Sequence, residues 1–170
     1  MIIKPSDYRK RHTKRDYSSS APLSKDVVFF DDSQLIGPSP KHDLKNLTFF
    51  LDKRNTILGL QATYLKNNEE ILGYRNIMEK TLKTEEIHEI SFVLEDDYIR
   101  NFYGLYGDSI EFLRIETEKG KVFEVGTINK EKMKEFTLNI RNFDVPITIF
   151  GALDVKKGNN EKKMIFSLFF

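Results

Sequence analysis

Cysteine is absent from the 170 residues, so the chain can hold no disulfide framework, no Cys-ligated zinc and no thiol nucleophile. That fits a reducing compartment. Long apolar runs are absent too. No stretch approaches the roughly eighteen residues of a membrane-spanning helix, and residues 1 to 26 are polar where a secretory signal needs an apolar segment. The expectation is a soluble, intracellular protein with no transmembrane segment. Histidine occurs three times, as His12, His42 and His88, with no spacing that suggests a metal face. Each reads as a solvated surface residue. No phosphate-cradling glycine loop precedes a helix, and "YGDSI" lacks the second glycine of a nucleophile elbow. No catalytic residue, metal or cofactor is therefore expected.

What is present suits one domain with a tail. The chain is 39% hydrophobic and 31% charged, enough for a single proper core and too short for two. Its formal charge of +1 hides an asymmetry. Residues 1 to 26 hold seven Lys/Arg against three Asp, whereas residues 27 to 170 hold twenty against twenty-three acidic residues. Between Ile3 and Leu23 aliphatic residues are almost missing, and such a segment cannot repay the entropy of ordering itself alone. The division expected is a basic extended arm at 1–26 and a folded domain at 27–170.

From Val27 onward, short apolar stretches alternate with turn signals. "NLTFFLD" (46–52), "TILGLQATYL" (56–65), "EISFVL" (89–94), "IEFLRIETE" (110–118), "KVFEVG" (121–126), "EFTLNIR" (135–141), "VPITIFGALDV" (145–155) and "MIFSLFF" (164–170) all read as strands. Phe136, Leu138 and Ile140 alternate with Thr137, Asn139 and Arg141, and Leu58, Leu60, Ala62 and Tyr64 show the same period of two. The separators "LKNNEE", "EKGK", "TINKEKMK" and "KKGNNEKK" suit hairpin loops. "EILGYRNIMEKTLKTEEIHE" reads as a long loop. Regular strands without a convincing helix imply an all-β antiparallel sandwich, barrel or prism.

The run "EISFVLEDDYIRNFYGLYGDSIEFLRIETEKGKVFEVG" (89–126) resembles the middle of a jacalin-related lectin domain. There a strand leads through an acidic corner into a Tyr-Ile strand, a glycine-aromatic bend, a further strand and a Lys-Gly turn. "ILGLQATYLKNNEEILGYRN" (57–76) and "KEFTLNIRNFDVPITIFGALDV" (134–155) resemble the strands on either side. The likeness covers about 27 to 170. It implies a β-prism of three four-stranded antiparallel sheets around one core. Gly104 and Gly107 would then permit positive φ or a close crossing, with Tyr103, Tyr106 and Phe112 covering the core. Glu95, Asp96 and Asp97 fall on an ordinary corner rather than a calcium or acid-base site.

The resemblance also implies where sugar would bind: a glycine-rich loop near the N-terminus and a Gly-x-x-x-Asp segment before the last strand. This chain departs at both. Gly37 stands alone between Ile36 and Pro38, and beyond Gly158 the aspartate position falls at Met164, whose thioether cannot accept paired hydroxyl hydrogen bonds. Asp154 falls in the preceding strand. Carbohydrate binding is therefore not the expected main role. The arm carries the functional expectation instead: Arg9, Lys10, Arg11, Lys14 and Arg15, bracketed by Tyr8 and Tyr17, call for an acidic partner surface. The expectation is a structural subunit of a large assembly, with tubulin or axonemal proteins of a cilium as partners. Alternatives are a jacalin-type carbohydrate-binding lectin, or an accessory subunit of a mitochondrial or ribonucleoprotein complex with the arm on RNA or anionic lipid.

Overall fold

The computed structural model describes residues 27–36, 42–77, 87–107, 110–128, 133–140, 148–154 and 163–169, so the arm at 1–26 lies outside the described residues. Period-two apolar patterning yields twelve strands among them. These are β1 (Val27–Asp31), β2 (Asp43–Leu51), β3 (Ile57–Lys66), β4 (Glu69–Leu72), β5 (Asn76–Ile77), β6 (His88–Val93), β7 (Ile99–Tyr106), β8 (Ile110–Thr117), β9 (Val122–Gly126), β10 (Lys134–Asn139), β11 (Thr148–Asp154) and β12 (Lys163–Phe169). One short helix, α1 (Ser33–Ile36), follows β1.

All pairings are antiparallel and fall into three sheets. The first sheet joins the two ends of the domain, in the order β1-β11-β12; the second runs β4-β3-β2-β6 with β5 also on β3; the third runs β10-β7-β8-β9. The second and third share one winding. In each, three hairpin-connected columns are followed by a strand that returns beside the first, a Greek key. The expected three-sheet prism is thus present, although the sheets are not uniformly four-stranded among the described residues. β4 and β5 lie on the same side of β3, at opposite halves of it, and form one interrupted column.

Inner faces of the three sheets meet in one core. The second sheet contributes Leu47, Phe49, Leu51, Leu60, Ala62, Tyr64 and Phe92, the third Phe102, Leu113, Ile115 and Val125, and the first Ile149. Phe123 seals the corner between the second and third sheets, stacking on Phe92 at 5.0 Å and on Phe49 at 5.6 Å between ring centroids. Phe136 and Leu138 pack against the core while Thr137 and Asn139 are exposed, as their alternation requires. The "LKNNEE" separator is a tight hairpin, with Asn67 and Asn68 at φ of 53° and 64°. Positive φ at both central residues matches the twist of the flanking strands.

Three local expectations are corrected. Gly104 lies inside β7 rather than in a bend, although the close approach expected there is present: the ring of Phe136 from β10 occupies the space a Cβ would need, 2.2 Å away. The chain bends at Gly107, and neither glycine has positive φ. Tyr103 and Phe112 stand on the outer face of the third sheet, edge to face at 6.3 Å, so they do not cover the core. "EILGYRNIMEKTLKTEEIHE" is not loop throughout, since β4 runs into it as far as Leu72 and β5 lies within it.

Phe50 is buried on the outer face of the second sheet, where the Arg75 guanidinium sits 4.9 Å above its ring. Replacing Arg75 by alanine uncovers that ring, and we expect a loss of about 1 kcal/mol. Urea unfolding of the variant measures it.

Candidate functional site

The antiparallel register places three chain segments at one end of the first sheet. Val27, at the start of β1, pairs with Asp154, the last residue of β11, and Asp154 pairs with Lys163, the first residue of β12. One row inward, Val28, Leu153 and Met164 are aligned. Met164 is therefore in the row next to that of Asp154. Gly158, between β11 and β12 in the chain, lies outside the described residues, as does Gly37.

The turn leading to Gly37 belongs to the other end of the sheet. The Leu35 and Ile36 amides donate to the Asp32 carbonyl at 3.0 and 3.1 Å, and the Asp32 amide donates to the Ile149 carbonyl at 3.1 Å. From Ile149 to Asp154 the strand advances about 16 Å. It is the start of β1, rather than α1, that lies at the hairpin end of β11. The sequence cue missed was "VVFF", an apolar run short enough to be a buried strand.

What holds the first sheet against the second is a buried polar node. Asp32 is 1% exposed and accepts the Tyr64 hydroxyl through Oδ2 at 2.8 Å and the Tyr74 amide through Oδ1 at 3.0 Å. The Tyr64 oxygen in turn accepts the Ile149 amide at 3.0 Å. Burial pushes the Asp32 carboxyl above its ordinary range, partly offset by the Tyr74 and Tyr64 hydrogen bonds. Burial and the neighbouring Asp32 charge push Tyr64 upward as well, so the phenol keeps its proton. Gly73 is glycine because a Cβ there would meet Asp32 Oδ2 at 2.3 Å. No sequence pattern marks this set, since its members are brought together only by sheet packing.

The other sequence candidates have structural roles. Asp97 Oδ1 accepts the Tyr98 amide at 2.9 Å and the Lys119 amide at 3.1 Å, tying the β6–β7 corner to the β8–β9 hairpin. Burial opposes its charge, but hydrogen bonds from Thr117, Lys119 and Tyr98 outweigh that and hold its carboxyl low. Glu95 and Asp96 face Lys121 and Lys45 at 3.5 and 3.7 Å. Among the described residues no three acidic, histidine or cysteine side chains are grouped for a metal ion. His42 is half-buried and meets Tyr64 edge-on at 5.7 Å, so it is not the solvated loop residue expected. His88 is exposed at the start of β6, and His12 lies outside the described residues with Tyr8, Arg9, Lys10, Arg11, Lys14, Arg15 and Tyr17. No helix among the described residues is long and apolar enough to cross a membrane.

Comparison of the whole architecture with solved structures decides the fold. The chain is similar to the lectin MPA complexed with T-antigen disaccharide, at 22% identity and a TM-score of 0.59, over 84% of this chain and 97% of that one. The fold is that of the jacalin-related lectins. A galactose-specific lectin from Artocarpus hirsuta in complex with methyl-α-D-galactose aligns at 18% identity and a TM-score of 0.59, over 83% of this chain and 96% of that one. Jacalin in its T-antigen complex aligns at 18% and 0.58, again over 83% and 96%. No protein-family model and no curated protein sequence matches the chain. These neighbours correct the functional expectation: they are lectins solved with sugars, and nothing in them supports a ciliary, microtubule or mitochondrial subunit, or tubulin as a partner. That expectation rests on the arm, whose charge alone does not specify a partner.

Proposed function

We propose that this chain is a non-catalytic carbohydrate-binding protein that takes sugar at the end of the first sheet where Val27, Asp154 and Lys163 are aligned. The observation that carries this reading is the extent of the structural likeness: 96–97% of each neighbour described above is covered, and each was solved with a galactose-type sugar. In this reading the acceptor is Asp154, which register places at this end of the sheet beside Val27 and Lys163. A carboxylate accepts two hydroxyl hydrogen bonds at once, which a thioether cannot.

The test is titration calorimetry with methyl-α-galactoside and T-antigen disaccharide, with methyl-α-mannoside for comparison. We expect saturable, competable binding, weakened about tenfold by Asp154→Asn as one charge-assisted acceptor is lost. Background heat with all three sugars would overturn the proposal. Binding that Asp154→Asn leaves intact would move the acceptor elsewhere in the hairpin.

A further inference from the structure

The outer face of the second sheet carries a row of uncharged hydrogen-bonding side chains that the core does not use. Register places Gln61 of β3, Thr48 of β2 and Ser91 of β6 side by side across three strands. Neighbouring strands are about 4.8 Å apart, so the three polar groups recur at that interval. Thr48 Oγ1 lies 3.0 Å from Ser91 Oγ and accepts Asn46 Nδ2 at 3.2 Å, while Gln61 Nε2 donates to the Gly73 carbonyl at 2.8 Å. Asn46 Oδ1 has no partner among the described residues.

Apolar side chains frame this row. The adjoining register is Leu72, Thr63, Asn46 and Val93, in which Leu72 is 62% and Val93 49% exposed. Tyr74, 40% exposed, lies between Gly73, whose carbonyl holds Gln61, and Arg75, whose guanidinium covers Phe50. On the row beyond, Arg75 pairs with Glu89 at 3.4 Å. The face therefore offers hydroxyls and amides in its centre, apolar surface at its margins and charges already matched to each other.

We propose that this face is a second carbohydrate-binding surface, and that its ligand is a neutral, linear oligosaccharide. The chemistry selects that class. A sugar chain presents hydroxyls at regular intervals for the Gln61-Thr48-Ser91 row, and C–H faces for Leu72, Val93 and Tyr74. A nucleic acid or acidic glycan would find no unmatched cation in the row. A second copy of this chain would need a more apolar patch centre than hydroxyls and amides provide. This surface is on a different sheet from the hairpin end and does not depend on sugar binding there.

Nuclear magnetic resonance separates the two. Titrating 15N-labelled protein with cellotetraose, and then with mannotetraose, should shift the side-chain amide signals of Asn46 and Gln61 and the backbone signals of Thr48 and Ser91. The double variant Thr48→Val, Ser91→Ala keeps the shape of the face, and affinity for the tetrasaccharide should fall about tenfold. Methyl-α-galactoside should instead shift signals of Val27, Asp154 and Lys163, so each proposal stands or falls on its own set. Absence of shifts at 46, 48, 61 and 91 with both tetrasaccharides would overturn the second surface. So would shifts there that appear on concentrating the protein without sugar, which would assign the face to self-association.

Discussion

Asp32→Ala should lower the unfolding free energy by roughly 2–5 kcal/mol, because it strands two buried donors at once. The Tyr64 hydroxyl and the Tyr74 amide both end on this carboxylate, and the interior offers water no easy entry where Asp32 is 1% exposed. Tyr64→Phe should cost less, since it leaves Asp32 its Tyr74 bond, but it removes the acceptor of the Ile149 amide. Because the two side chains share one hydrogen bond, their double variant should be less damaging than the two losses added. Urea unfolding of the four proteins measures this. Additive losses would show that the node does not act as a unit.

A pH series sharpens the same prediction. Burial raises the native pKa of Asp32 above 3.8, so the folded state binds a proton more tightly than the unfolded chain. Stability from this group is full below the unfolded value and is lost as pH rises through the native one. Asp97 runs the other way: its carboxyl is held low, so its contribution is lost on acidification. Comparing wild type with Asp32→Asn isolates the first effect, because the amide does not titrate. The stability difference should move in favour of wild type as pH falls through the native pKa of Asp32, and a flat difference would refute the assignment.

Gly126→Ala should be as severe, for a different reason. Gly126 ends β9 at φ 96°, and a Cβ there would lie 2.0 Å from the Glu111 carbonyl oxygen and 3.0 Å from Phe112 Cα. The backbone conformation costs an alanine about 1–3 kcal/mol, and displacing the paired strand adds about 1–3 kcal/mol more. Gly120 is the control. It has φ 83° in the β8–β9 turn, with nothing within 4 Å of a Cβ, so Gly120→Ala should show only the conformational cost. Thermal and urea unfolding of the two variants should differ by the steric part, and equal losses would mean that β8 yields without penalty.

Strand and turn positions were legible because they depend on neighbours in the chain. Alternation in "EFTLNI" is written in the order of its residues, and Asn67-Asn68 and Gly120 carry the backbone freedom that their turns need. Gly104 shows the limit. Its sequence neighbourhood looks like a bend, but the reason for glycine is a Phe136 ring thirty-two residues away, and no local pattern reports that contact. Asp32 is a second case: nothing in its sequence neighbourhood marks a buried carboxylate, and only the closure of the first sheet over Tyr64 makes it a buried strut. The candidate site followed the same division. The hairpin before the last strand was visible from its Gly, Asn and Lys content, whereas its neighbour, the start of β1, is set by pairing between residues 27 and 154. The order of residues along the chain thus determined the strands, the turns and the all-β class. Tertiary structure alone decided which strand ends meet, because register across more than a hundred residues is chosen by the packing of three sheets on one core and by nothing local.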